Sequence, residues 1–498
     1  MPDALKTPES DDLKKRQREL VDKLLAEAPV AGSGSAVFGK TRADYTISAS
    51  FIPVVPPALD KDGDAPQAAV FTFAYLLKDA TTTRPVCFAF NGGPGSSSVW
   101  LHLGALGPKR MRIGEDGSMP PPPYVLEDNP DTWFEHFDLV FIDPPHTGYS
   151  QSASEEARKK HFSVDGDITA LAEVVRGWLH RHNRWSSPLY LAGESYGTTR
   201  GAGIADKLQE HGIALAGLIL VSCAMDLQTL VFAPRNDLPY ALFLPAFACV
   251  AQYHKRLKGA IGKSAHAARK AAEAFVEDDY LAALHRGSGL ADNTRRRLVN
   301  RIAELTGLSP AFVEEKNLRV ADHDFFFELL RDEGKIVGRL DARVTGPMAA
   351  SRTRFWEFDP AMEALTPPYT MAAQAYFRSL GMPGERRYDV FGEGVNQAWV
   401  WNRNAGPEPA KGNQYATTST DLARALRRNP HLKVLVASGY YDLGTPYSAT
   451  NWSLAQLDAP ADVLTRITHH CYDGGHMMYT RSVDMKKMKA DLAAWLQR

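Results

Sequence analysis

The sequence predicts an α/β fold, a mostly parallel sheet covered by helices on both faces with a mainly helical segment inserted into it. Three observations predict it. Short apolar runs alternate with helical patterns before about residue 225 and again after about residue 425, the alternation that builds parallel sheets buried on both sides. One of these runs, 188–192, passes through Gly193-Glu194-Ser195-Tyr196-Gly197 into a stretch of helical character at 204–209. Between the two strand-bearing halves, residues 226–425 change to charged helical patterns with interspersed Trp, Phe and Tyr, which reads as an insertion into one sheet domain.

In chain order, residues 11–28 carry Leu13, Leu20, Val21, Leu24 and Leu25 among many charges, an amphipathic helix. Residues 30–35 are small and read as a linker. Strands are expected at 45–55 and 69–77, with Pro and Asp-Gly turn signals between them. Further strands are expected at 85–90 and 138–143, the first running directly into a Gly-rich loop, the two separated by the Pro-rich stretch 120–123. After the elbow helix, 217–222 is again a strand. In the inserted block, helices are expected at 265–284, 292–305 and 325–331. Strand character returns at 432–438 and 463–468, and 485–497 closes as an amphipathic helix. The chain thus divides into an N-terminal helix and linker (1–35), the first part of the sheet domain (36–225), the helical cap (226–425) and the second part of the sheet domain (426–498).

The bulk properties exclude several classes. Lys plus Arg number 57 against 58 Asp plus Glu, a net charge of -1, so no electrostatic case exists for nucleic acid or an anionic membrane. No stretch approaches the ~18 apolar residues of a membrane-spanning helix. The opening Met1-Pro2-Asp3-Ala4-Leu5-Lys6 leads into charges with no apolar h-region. A cytoplasmic protein is expected if Met1 is the true start, and a secreted or periplasmic one if a signal was removed. Cys87, Cys223, Cys249 and Cys471 lack metal-ligand spacing and read as buried free thiols. No metal or cofactor is called for.

The 193–197 pentapeptide has the G-x-S-x-G form of a nucleophile elbow, which lifts a serine hydroxyl off the end of a sheet. A serine nucleophile needs a base and an orienting acid. Where an elbow serves, the chain order is Ser, Asp or Glu, then His. Asp442 lies just beyond the 432–438 strand, on the rim where the elbow serine sits. His476 follows Asp473-Gly474-Gly475 near the C-terminus. His469 and His470 fall earlier, in strand-like sequence, without companion ligands spaced for a metal. Asn91-Gly92-Gly93-Pro94-Gly95 follows an early strand, where such enzymes supply one oxyanion amide, the other coming from the residue after the nucleophile. The amides of Gly93 and Tyr196 are therefore the candidate oxyanion hole.

Asn91-Gly92-Gly93-Pro94-Gly95-Ser96-Ser97-Ser98, Gly193-Glu194-Ser195-Tyr196-Gly197 and Gly474-Gly475-His476-Met477 together resemble the serine carboxypeptidase family. Asn129-Pro130 with Trp133, Gly148-Tyr149-Ser150 and Gly338-Arg339-Leu340-Asp341 fit as well, the last looking like bacterial members. The resemblance implies an α/β-hydrolase fold and release of single residues from peptides with a free C-terminus. It implies a triad of Ser195, Asp442 and His476, and a grip on the substrate's terminal carboxylate by Asn91, the Gly92 amide and Glu194. A protonated Glu and an Asn amide can hold a carboxylate without a full positive charge. The sequence departs from the family at Ala89, where many relatives have Trp, at Ser96 for a common Cys, and at Ala105 for a Glu that pairs with the one beside the nucleophile. His146 stands for a usual Gly and is a candidate pocket-lining residue. Loss of the Glu at position 105 favours a second reading, an esterase or acyltransferase on the same triad.

Overall fold

Alternation of side chains along each strand organises the sheet. The structure, a computed structural model, describes residues 11–55, 65–403 and 415–497. Its ten-stranded sheet comprises β1 (Val30–Phe38), β2 (Thr41–Val54), β3 (Ala68–Leu77), β4 (Val86–Phe90), β5 (Asp138–Ile142), β6 (Gln151–Ser152), β7 (Leu189–Glu194), β8 (Gly217–Val221), β9 (Lys433–Gly439) and β10 (Ile467–Tyr472). The order is β1-β2-β3-β5-β4-β7-β8-β9-β10, with β6 paired to β3. Strands from β5 across to β10 are parallel, while β1, β2 and β3 form an antiparallel edge.

In β7, Leu189 and Leu191 enter one core, while Tyr190 and Ala192 enter the other. β8 repeats this, with Leu218 and Leu220 opposite Ile219 and Val221; period 2 puts successive side chains on opposite faces. One face is covered by α1 (Asp11–Ala26), the other by α2 (Val164–Arg181) and α3 (Tyr196–Glu210). Ser163 caps α2, its hydroxyl accepting from Gly166 N at 3.1 Å, with Asp165 and Asp167 in the first turn favouring the positive helix end.

The inserted segment divides by packing. Residues from Ala241 to Ala342 build a core of their own, joined by Tyr441 and Leu443 of the sheet domain. It includes α4 (Leu238–Tyr253), α5 (Ala265–Phe275), α6 (Asp292–Thr306) and α7 (Asp322–Glu328). By contrast α8 (Pro360–Ser379) buries Leu365, Tyr369, Ala372, Ala373 and Phe377 on the α1 face of the sheet, and α9 (Ser419–Arg428) buries Leu422 and Leu426 on the other. Two helices of the 226–425 stretch thus pack on the sheet, apart from the core built by Ala241 to Ala342. The chain closes with α10 (Ser482–Leu496) on the α1 face.

Two expectations differ. Residues 30–35, read as a linker, are strand: β1 pairs along its length with β2, from Val30↔Ala49 to Phe38↔Thr41. Small residues carry little strand preference of their own, and pairing overrides it; a Cβ at Gly34 would lie 2.5 Å from Tyr45 Oη, so glycine there admits the ring. Strand character expected at 463–468 belongs to 467–472 instead. Pro460 precedes a short helix, Ala461–Leu464, which packs the half-buried Val463 and Leu464 against the core. The turn signals between β2 and β3 fall on 56–64, outside the described residues.

Candidate active site

β7 lies between β4 and β8, near the middle of the sheet, and ends at the elbow. Ser195 has φ 60° and ψ −129°, a left-handed conformation that costs a non-glycine residue of order 1–3 kcal/mol. Its amide donates to Val221 O at 2.9 Å, and its carbonyl accepts from Thr198 N at 2.8 Å and Thr198 Oγ1 at 2.7 Å, which hold the turn. A Cβ at Gly193 would sit 2.2 Å from Gly197 O, so the elbow closes only with glycine there.

Asp442 lies just beyond β9 and is fully buried. Its Oδ2 is 2.8 Å from His476 Nδ1 and accepts from Thr445 Oγ1 at 2.6 Å; its Oδ1 accepts from the amides of Gly444 at 2.8 Å and Thr445 at 2.9 Å. Burial alone would push this carboxyl up, but His476 and the Thr445 bonds outweigh it and hold it below its usual value. For His476, burial pushes down, while the Asp442 charge and hydrogen bond, then the Glu194 charge, raise it above its usual value. The imidazole is oriented with Nδ1 on Asp442, which leaves Nε2 for the nucleophile. Its backbone is anchored too, His476 N donating to Leu340 O at 2.6 Å and Ser222 Oγ to His476 O at 2.6 Å.

Ser195 and His476 line one cavity of about 150 Å³, together with Asn91, Gly92, Gly93 and Glu194. That is below the ~300–1,000 Å³ of sites for drug-sized ligands and suits a single residue. Trp100, Leu340, Met362, Phe391 and Met477 form apolar walls. The Trp100 ring lies 5.6 Å from Phe391 and is fixed by Nε1 donating to Ser96 Oγ at 2.8 Å.

Tyr196 opens α3, and its N–H is one of those a helix leaves without an internal partner. A Cβ at Gly92 would be 2.4 Å from Tyr196 N and 2.7 Å from Gly197 N. Any side chain at 92 would therefore cover these amides. Gly93, at φ +104°, continues this loop beside the serine. Asn91 is held from behind: its Oδ1 accepts from Leu101 N at 3.0 Å and its carbonyl accepts from Arg200 Nη1. Arg200 is fully buried and paired with Asp167, Nε to Oδ2 at 2.7 Å.

Glu194 is buried beside the nucleophile, and burial pushes its carboxyl up to about 7. The charge on His476, the hydrogen bond from Tyr479 and that from Asn91 oppose the rise. Tyr479 Oη donates to Glu194 Oε2 at 2.7 Å. Ala105 lies on a π-turn, His102–Leu106, pinned by Asn129 Nδ2 donating to Ala105 O and Gly107 O, both at 2.8 Å. Its neighbour Gly104 leaves room for the tyrosines, since a Cβ there would be 2.9 Å from Tyr479 Cε2 and 2.5 Å from Tyr369 Oη. Position 105 thus holds an alanine, and Glu194 takes a hydrogen bond from a tyrosine hydroxyl.

His146 does not line this cavity; it packs edge-on against Phe162 with ring centroids 5.2 Å apart. His469 bonds Asn451 Oδ1 and Ser438 Oγ, both at 2.9 Å, away from the cavity. Among the described residues, no cluster of three His, Cys, Asp or Glu side chains could hold a metal ion. The sequence reading missed Tyr479, which carries no motif beyond its place three residues after His476. It also missed Thr445 and the clamp on the 338–341 turn, where Asp359 accepts from Arg339 N at 3.0 Å and Leu340 N at 3.3 Å.

The sheet order, the elbow and the Asp–His pair define an α/β hydrolase. Residues 62–229 match the serine carboxypeptidase family. It is 31% identical over 128 residues to serine carboxypeptidase-like 36 of Arabidopsis thaliana, covering 25% of this chain and 24% of that protein. It is 30% identical over 185 residues to the pheromone-processing carboxypeptidase KEX1 of Yarrowia lipolytica, covering 36% of this chain and 27% of that protein. The matches thus span about a quarter of these relatives' length. The solved structure of the prohormone-processing carboxypeptidase Kex1Δp of Saccharomyces cerevisiae shares the fold, with a TM-score of 0.55 over 91% of each chain at 14% identity. No helix among the described residues is long and apolar enough to cross a membrane.

Proposed function

We propose that the protein is a serine carboxypeptidase that removes C-terminal residues from peptides through an acyl-enzyme. In this reading Ser195 Oγ attacks the carbonyl of the last peptide bond and His476 Nε2 takes its proton. Asp442 holds the imidazole and stabilises the charge it gains. The amides of Gly93 and Tyr196 receive the oxyanion. His476 then returns the proton to the leaving amine, and water, deprotonated by the same base, releases the acyl group and regenerates Ser195.

The observation that carries the reading is Glu194, a buried carboxyl next to the nucleophile with Asn91 beside it in a cavity that suits one residue. Raised to about 7, it stays protonated in mildly acidic solution and can donate to the terminal carboxylate. Asn91 and the Gly92 amide would share that carboxylate. The tyrosine on Glu194 Oε2 supports this reading over the esterase alternative, because it keeps the acid oriented although position 105 is alanine.

The test compares peptides with free and amidated C-termini, using Ser195→Ala as the blank and a serine-reactive phosphonate to count active enzyme. Free acids should be cleaved at least about a hundredfold faster, as expected when a site built for a polar group finds it missing. Equal rates would discard the exopeptidase reading in favour of the esterase or acyltransferase.

A further inference from the structure

Arg339 lines the catalytic cavity, yet nothing in the reaction described above uses it. It is the only Lys or Arg among the lining residues. Its backbone is fixed at both ends of the residue. The amide donates to Asp359 Oδ1 at 3.0 Å, and the carbonyl accepts from Leu443 N, next to the triad acid, at 3.0 Å. The side chain extends over Gly444, where a Cβ would be 3.2 Å from its Nη1.

The guanidinium itself is exposed and makes no ion pair within 4.0 Å among the described residues. Its turn-mate Arg343 is neutralised by Asp341, Nη2 to Oδ2 at 2.5 Å. Asp359 and Asp322 feel the Arg339 charge, as does His476. Asp359 is nevertheless occupied by the amides of Arg339, Leu340 and Ala361. With Glu194 protonated and His476 neutral in the working enzyme, Arg339 is the one full charge facing the substrate from the cavity lining. Trp100, Met362 and Phe391 are the apolar residues that share the lining with it.

We propose that Arg339 is a specificity residue that selects substrates bearing an acidic side chain, Asp or Glu, on one of the two residues flanking the bond that is cut. The proposal rests on the carboxypeptidase reading for its substrate and names the class. The α-carboxylate is left to Glu194 and Asn91, which sit beside the nucleophile; the guanidinium pairs with the side-chain carboxylate, as arginine's planar fork favours.

The experiment measures kcat/KM for N-blocked peptides with Glu, Gln or Lys at each flanking position, on wild type, Arg339→Met and Arg339→Glu. Wild type should favour Glu over the isosteric Gln by at least about tenfold at one position, the worth of one charge-assisted hydrogen bond. Arg339→Met should erase that preference, bringing the ratio of kcat/KM for the Glu and Gln peptides to about one. Arg339→Glu should favour Lys over Gln. Gln cleaved as well as Glu by wild type, or a Glu preference that survives in Arg339→Met, overturns the proposal. So does an Arg339→Met variant that instead stops distinguishing acid from amide C-termini on a peptide with neutral side chains, since Arg339 would then hold the α-carboxylate. The same series made as C-terminally amidated depsipeptides, with an ester at the scissile position, reads Arg339 by itself. Failure of every peptide with a Glu preference among the esters would sink the carboxypeptidase reading and leave Arg339 standing.

Discussion

At the scale of the residue, two groups titrate in the cavity and each favours the other's charge. His476 lowers Glu194, and Glu194 raises His476. The working form has Glu194 protonated and His476 neutral; an idle form with both charged carries the same number of protons. A bell-shaped profile of kcat/KM on a free-acid peptide follows, and its two limbs belong to the pair. The alkaline limb reports loss of the one proton that the pair shares in the working form, and the acid limb gain of a second. Glu194→Gln should abolish the alkaline limb. It should also move the acid limb to lower pH, because His476 loses a negative neighbour. Tyr479→Phe removes a donor that stabilises the ionised carboxyl, so Glu194 should titrate higher and the alkaline limb should move up. An unchanged alkaline limb in Glu194→Gln would remove Glu194 from carboxylate binding, and an unchanged limb in Tyr479→Phe would remove the tyrosine from that role.

At the scale of the element, the catalytic loops are held by a turn from the inserted segment. The carbonyl of Leu340 accepts from His476 N and that of Arg339 from Leu443 N, so the 338–341 turn fixes base and acid loops together. Asp359, the N-cap of α8, holds that turn. Asp359→Ala should cost ~1–2 kcal/mol from the lost cap. It should also lower kcat roughly ten- to a hundredfold in the folded enzyme, because small displacements of a catalytic group are expensive. Thermal unfolding gives the first number and turnover well below the melting temperature gives the second. A variant that loses stability and keeps kcat would show that the turn does not position His476.

At the scale of the whole molecule, three apolar cores divide the labour. Two lie on the faces of the sheet and carry the elbow; the third belongs to the inserted segment between Ala241 and Ala342. We propose that this segment is a unit that opens separately. Phe325, fully buried and stacked on Phe247 with centroids 4.2 Å apart, is central to it. Phe325→Ala should cost ~3–5 kcal/mol. Amide exchange should show that loss in α4, α6 and α7, while β4, β7 and β8 keep their protection. Uniform loss across those strands would mean that cap and sheet unfold as one.

The sheet, the elbow and the chain order of Ser195, Asp442 and His476 are legible in the sequence. Each leaves a local mark: strands in apolar runs, the elbow in glycines that a Cβ would close, Asp442 and His476 in their places after late strands. Strand β1 left no such mark, since Val30–Ser35 become strand only by pairing with β2. Tyr479 reaches Glu194, and Arg339 the cavity, from parts of the chain far from Ser195, and no spacing rule connects them. Whether Glu194 has a proton-bearing partner was decided by the packing of Tyr479 and Tyr369 against Gly104. Local chemistry is written in short stretches of chain; the environment of a buried charge is made by whichever distant side chains the fold brings against it.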